Sequence, residues 1–481
     1  MYDKESLKFF FNPFISKIMI FLVTSHVIFI FSFQRIFGKA FFLAPDERGY
    51  LQVAKDVYSA DYDYVQWGWP WRSPVWFLQL IYTPFKVLIE FGVPDLIAFR
   101  INTLLYSSSA IYFVLAVFYF HNTSNKLSRI HKFGLLSFFL PTFFLWCSLG
   151  LRESFLYFSF SLIGTGIVLL TGKRHRIGFL LLAIGCLFLA YTKDYVYLIF
   201  LVSLLLTIFI KALMKQLEFK RGFLYVIALL VPIVITPSIT FSLQGQFKDI
   251  VFADEVPRSN LAGNSTGGEI GAWGTERGLA ENCEDNSSIK MLLRLVKPSD
   301  KIQTNNICDN PKQDGISKES GSGENFEDKP ILLNGTEVEW ETSRAAKLSL
   351  EPAHLSDPRK LFSQFIAILT LPIPLIDNGS SILNILAWES PFWLFLIALT
   401  YMTVITDLIR TRKLSDLNLW CSLFIFGILL SSVLTEINVG TMVRHRSLVL
   451  VLCLFVILTM DNSIYGKMNL HKFMNNFKQK G

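Results

Sequence analysis

The sequence predicts an all-α polytopic membrane protein with about ten transmembrane helices, external interfacial helices and one large external loop. Three observations predict it. Of the 481 residues, 52% are hydrophobic and only 17% are charged, whereas a soluble chain carries about 25% charged residues. Apolar runs recur along the chain, and a run of about 20 residues crosses the hydrocarbon core of a bilayer as a helix. The basic residues collect in the short connections between these runs, as they do in loops that set membrane orientation. The net charge of +7 is therefore a topology signal, and no nucleic-acid partner is expected.

Taken in order, the first run (18–33) follows a basic flank of Lys4, Lys8 and Lys17 and ends without a small-residue cleavage site. It reads as an uncleaved anchor. Further spans are expected at 96–120, 133–149, 155–170, 177–190, 195–210, 222–241, 391–409, 417–434 and 447–460. Lys126, Arg129 and Lys132, the Gly-Lys-Arg-His-Arg stretch at 172–176, the basic 211–221 connection, the Arg-Thr-Arg-Lys stretch at 410–413 and the basic tail from Lys467 all fall on one side if the N-terminus is cytoplasmic. That side is the cytoplasm of a plasma (inner) membrane, with both termini inside. The segment 74–91 is apolar enough to span, but counting it would reverse every downstream loop, so it is expected to lie in the interface. The segment 361–375 is treated likewise because Pro372 and Pro374 oppose a spanning helix.

The chain divides into an N-terminal transmembrane module (1–241) with a first external loop at 38–95, a large extracytoplasmic loop or small domain at 242–390, and a C-terminal module (391–481) with a basic cytoplasmic tail. Within the large loop, about 244–358 is rich in Gly, Asn, Ser and charge, and the part 305–328 is expected to be flexible. Sequons at Asn264, Asn286, Asn334 and Asn378 carry little weight in so Asn-rich a region. Four of the six cysteines (Cys147, Cys186, Cys421, Cys453) lie in apolar runs and read as packing residues. Cys283 and Cys308 share the large loop, as a disulfide in an oxidising compartment or as two free thiols.

The charges expected outside the membrane stand at span ends. They are Asp46 and Glu47 after the first span, Arg152 with Glu153, Lys193 with Asp194, and Arg444-His445-Arg446 before the last span. Arg and Lys are disfavoured in short outer loops, so Arg152, Lys193, Arg444 and Arg446 each need a local reason. A shared phosphate is one, since Arg binds phosphate bidentately. Simpler readings stand beside it: solvated ion pairs, headgroup contacts, an anchoring role for Asp46 and Glu47, and an interfacial aromatic belt for Trp67, Trp69 and Trp71. Inside the spans His26 and Arg100 are nearly the only ionisable groups. A transporter commonly places such groups near the midplane.

The pattern Asp46-Glu47-x-x-Tyr50-x-x-x-Ala54 in the first external loop resembles the GT-C superfamily of membrane glycosyltransferases. It is similar to the Asp-Glu-x-x-Tyr stretch of lipid A aminoarabinose transferases and to protein O-mannosyltransferase-like bacterial members. The resemblance continues through Ser73-Pro74, Arg100 and Asn102, and touches Leu371 to Pro374 and Glu389; it covers the first 130 or so residues best. The chain departs from the usual layout in its long 242–390 loop, where relatives often place a soluble domain at the C-terminus.

The resemblance implies transfer of a sugar from a polyprenyl-phosphate-linked donor to a glycan, lipid or protein acceptor at the outer face of the bilayer. Asp46 would be the general base, a role typically worth about 10²–10⁴ in rate. Glu47 would orient the acceptor or, with Asp46, hold a divalent metal. Arg152, Lys193, Arg444 and Arg446 would bind the donor phosphate, with Tyr50, Arg72, Glu153, Asp194 and His445 as further substrate contacts. A surface-polysaccharide polymerase or ligase is the alternative enzyme, and a flippase of lipid-linked sugar the alternative outside enzymes.

Overall fold

The computed structural model describes residues 13–37, 45–59, 74–121, 129–172, 174–235, 332–333, 336–337, 358–375, 384, 386–411, 415–435 and 439–459. Apart from a two-residue antiparallel ladder pairing Leu332 with Glu337 and Leu333 with Thr336, these residues form helices and their connections. In chain order the helices are α1 (Pro13–Phe37), α2 (Pro45–Ser59), α3 (Val75–Glu90), α4 (Asp95–His121), α5 (Arg129–Leu136), α6 (Pro141–Ser148), α7 (Glu153–Thr171), α8 (His175–Thr192), α9 (Asp194–Leu213), α10 (Phe219–Ile235), α11 (Pro358–Thr370), α12 (Ser390–Thr411), α13 (Asp416–Thr435) and α14 (Val439–Leu458).

Among the described residues, seven helices are long and apolar enough to cross a membrane: α1, α4, α7, α8, α9, α12 and α13. The protein is thus an all-α polytopic membrane protein. Of the other expected spans, α10 has 17 described residues, and α14 carries Arg444, His445 and Arg446 in its N-terminal half. The span expected at 133–149 is corrected. It is not one helix but α5, a 3₁₀ turn at Ser137–Phe139, and α6. Leu140 is extended (φ −56°, ψ 126°) and Pro141 has no N–H to continue the ladder, so the helix restarts there. The apolar run is continuous across the break, which is why hydropathy joins the two pieces.

Helix α7 is the axis of the bundle. Every residue from Glu153 to Leu170 except Phe158 is buried, as expected of a helix that is apolar on all sides. It forms a hairpin with α8 in which backbone meets backbone. A Cβ on Gly166 would lie 2.7 Å from the Leu182 amide nitrogen, and one on Gly178 would lie 2.8 Å from that of Leu170. Small residues permit this approach, and close van der Waals packing is what associates helices in lipid. Helices α4 and α14 pack on α7, α13 packs between α9 and α14, and α1 and α3 flank α4.

The segments expected in the interface are helices. On α3, Phe77, Leu78, Ile81, Tyr82 and Phe85 are buried while Trp76, Leu80 and Val87 are exposed. Helix α11 ends at the Leu371–Pro372 connection, one of the prolines that argued against a span. The four cysteines in apolar runs are free and buried. Cys283, Cys308, the three tryptophans at 67, 69 and 71, and the sequons lie outside the described residues.

Candidate functional site

The alternation of helix directions brings the starts of α4, α7, α9, α12 and α14 and the ends of α8, α11 and α13 to one end of the bundle. The candidate residues meet there. The first assembly is a clamp. Glu47 Oε1 accepts from Arg100 Nε at 2.7 Å and from the Gly150 N–H at 2.9 Å, and Oε2 accepts from Arg100 Nη2 at 2.8 Å. Both side chains are buried. A bidentate carboxylate–guanidinium pair with a backbone amide on the same oxygen is among the strongest polar contacts a protein makes. Gly150 is needed here, because a Cβ would lie 2.2 Å from the Phe99 ring. Thr103 donates to the Leu149 carbonyl at 3.1 Å and Ser107 to Ser154 at 2.8 Å, so the α6–α7 turn is sewn to α4. The turn presents Arg152, whose guanidinium lies 5.2 Å from the centre of the Tyr50 ring.

Asp46 stands in the first turn of α2, one residue before Glu47. Its side chain and Arg72 lie outside the described residues. Glu47 is therefore placed as an anchor for α2. A divalent cation at its carboxylate would sit against the Arg100 guanidinium, so the described residues do not fit the metal role that the resemblance allowed.

The second assembly is a cationic cluster. Glu153, at the start of α7, accepts from Arg444 Nε at 2.6 Å. Arg444, Lys193 and Arg152 all act electrostatically on Glu153, and the same three act on His445. Lys193 is the single residue between α8 and α9. Its Nζ lies 2.9 Å from His445 Nε2 and 4.7 Å from the centre of the Tyr195 ring. The Tyr195 hydroxyl lies 2.9 Å from the same nitrogen, and Ser432 Oγ lies 3.1 Å from Nδ1. Asp194 accepts the Tyr195 N–H at 2.9 Å. Three cations thus gather near Glu153, of which Arg444 pairs with it.

Arg446 is placed elsewhere. It is fully buried, and its Nη1 donates to the carbonyls of Ile368, Leu369 and Leu371 at 3.4, 3.3 and 2.7 Å. Nη2 reaches Ser390 Oγ at 3.3 Å, and the guanidinium lies 5.7 Å from the centre of the Trp393 ring. A cation at the C-terminus of α11 satisfies carbonyls that the helix leaves open. Beside it, Glu389 does the converse for α6. It accepts from the Thr142 N–H at 2.5 Å, from the Thr142 hydroxyl, and from Trp393 Nε1 at 3.0 Å, and burial pushes its carboxyl up.

Arg152, Glu153, Lys193, Arg444 and His445 are therefore brought together from the expected set, with Tyr50 at the edge. Arg446 and Glu47 are committed to helix positioning. Tyr195 and Ser432 were missed, since an aromatic and a hydroxyl in apolar runs carry no signal until their partner is known. No protein-family model, curated protein or solved structure matches the chain.

Proposed function

We propose that the chain is a GT-C-like glycosyltransferase that moves a sugar from a polyprenyl-phosphate carrier to an acceptor at the extracytoplasmic face of the plasma membrane, with both termini in the cytoplasm. The observation that carries this reading is the gathering of Arg152, Lys193 and Arg444 around Glu153 at one end of the bundle. A gathering of cations suits a phosphate, and it stands at the bundle end opposite the Lys211 and Arg221 connection.

In this reading the acceptor oxygen or nitrogen attacks the anomeric carbon while the bond from that carbon to the carrier phosphate oxygen breaks. The acceptor proton passes to Asp46. Charge accumulates on the departing phosphate, where cations already in place stabilise it without reorganising. Glu47 fixes the turn that carries Asp46, and through Gly150 the same carboxylate fixes the turn that carries Arg152. Arg446 takes no part in phosphate binding.

The test is sugar transfer by Asp46→Asn in membranes of a strain lacking the native protein, at matched abundance and thermal stability. Transfer should fall by about 10²–10⁴, the usual worth of a positioned base. Full transfer by Asp46→Asn would sink the mechanism and move the polymerase reading ahead.

A further inference from the structure

Glu153 uses one of its two carboxylate oxygens. Oε1 accepts from Arg444 Nε at 2.6 Å. Oε2 is buried and, among the described residues, receives no hydrogen bond, although the residue is 0% exposed. A second such atom lies close by in the fold. Thr192, the last residue of α8, directly precedes Lys193. It is 3% exposed, and its Oγ1 is likewise without a hydrogen-bond partner among the described residues. A helical threonine commonly returns its hydroxyl to the carbonyl three or four residues back. Thr171, Thr207, Thr400 and Thr403 do so, and Thr192 does not.

The two residues share one end of the α7–α8 hairpin. The close approaches of Gly178 to Leu170, Leu182 to Gly166 and Gly185 to Ile163 run in opposite directions along the two helices. The start of α7 therefore lies beside the end of α8, and both stand with Arg444 and Lys193. A buried polar atom left without a partner is costly and uncommon. This pair is also selective. A carboxylate oxygen can only accept, whereas a threonine hydroxyl both donates and accepts. A fully ionised phosphate brings no donor to Oε2 and is repelled by it. A hydroxyl brings the donor that Oε2 needs, and a second hydroxyl can pair with Oγ1 in either sense.

We propose that Glu153 Oε2 and Thr192 Oγ1 form a hydroxyl-binding subsite that receives the sugar ring of the lipid phosphate donor, and that these two residues decide which glycosyl group is held. The proposal rests on reading Arg152, Lys193 and Arg444 as the place of the donor phosphate. Arg444 occupies Oε1 and fixes the carboxylate, leaving Oε2 for the ring. A site that hydrogen-bonds a substrate hydroxyl discriminates strongly against an analogue that lacks it, because the buried partner is then left open.

The test is titration calorimetry on the full-length protein in detergent. The probes are geranylgeranyl phosphate, its glucosyl, galactosyl and mannosyl phosphodiesters, and the cyclohexyl phosphodiester, whose ring has no hydroxyl. Wild type should hold at least one glycosyl probe about 10-fold more tightly than the cyclohexyl probe, about 1.4 kcal/mol. Thr192→Val keeps the shape of the side chain. It should cut that preference several-fold and leave the affinities for geranylgeranyl phosphate and the cyclohexyl probe unchanged, which a general loss of structure would not do. Glu153→Ala should abolish the preference; should this variant fail to fold, Thr192→Val decides alone. Equal affinity of wild type for the glycosyl and cyclohexyl probes, with geranylgeranyl phosphate still bound, would overturn the subsite alone and leave the two atoms to water. A preference that survives either substitution in a folded protein would overturn it too. Wild type that fails to hold geranylgeranyl phosphate would overturn the phosphate reading, and the subsite with it.

Discussion

The two ends of the helix bundle use the same residue types to different effect. At the end where α9 stops and α10 and α13 start, Asp416 accepts from Tyr225 at 2.9 Å and pairs with Lys211 at 3.0 Å and Arg221 at 3.4 Å, and Arg221 also pairs with Glu218 at 2.6 Å. Two cations meet two carboxylates, and the network ties three helices together. At the other end, the Glu47–Arg100 clamp is a closed pair of the same kind, and the adjacent cluster gathers Arg152, Lys193 and Arg444 around Glu153. Balanced ionic networks hold helices. The cations around Glu153 are, in the function proposed above, where the donor phosphate would bind.

The largest effect tests the balanced side of this contrast. Glu47→Ala leaves a buried guanidinium without its partner, which typically costs about 3–5 kcal/mol. Thermal unfolding in detergent should show a large drop in Tm, and wild-type stability would mean that the clamp contributes nothing. Asp416→Ala should cost less, about 3 kcal/mol at the lower edge of that range, because Arg221 keeps Glu218 and is partly exposed. Binding of geranylgeranyl phosphate by Asp416→Ala should be unchanged; a loss there would mean that the two ends are not separable.

In the cluster, Glu153→Gln removes the carboxylate that pairs with Arg444. It should tighten binding of geranylgeranyl phosphate about 5-fold, near 1 kcal/mol, and steepen its salt dependence. Weaker binding would show that Glu153 serves the ligand by holding Arg444 in place and not by competing with it for the cations.

The smallest effect is a pH slope. The Glu389 carboxyl is pushed up by burial, so the folded chain keeps a proton that the unfolded chain has released. Stability from this group is therefore lost as pH rises above about 4.3, the ordinary Glu value. The fall of Tm over that interval should be shallower in Glu389→Gln; identical slopes would remove Glu389 as its source.

Much of the fold was legible in the sequence, and the reason is general. Hydropathy reports burial in lipid, and α4, α7, α8, α9, α12 and α13 lie within a few residues of their expected bounds. The α5–α6 break was not read, although Pro141 marks it, because the apolar run continues past it. In the candidate site, Arg152, Lys193 and Arg444 were singled out because cations at span ends expected to face outward run against a physical rule. Glu47 and Arg446 carried the same surface signature as their neighbours. Their positioning roles depend on partners 53 and 56 or more residues away, and no local pattern encodes such a distance. Arg100 stood out as a charge near a span end, yet the acid that answers it was taken for a second substrate-facing carboxylate.

The triplet Arg444-His445-Arg446 also has a consequence for assembly. Consecutive side chains leave a helix about 100° apart, and these three reach α7, then the α8–α9 turn with α13, then α11 with α12. A single turn of α14 therefore works like a key with three bits cut at fixed angles. Slipping α14 by one residue, or rotating it by that angle, mismatches three buried polar partners together, so this helix has one threading that closes and neighbouring ones that jam.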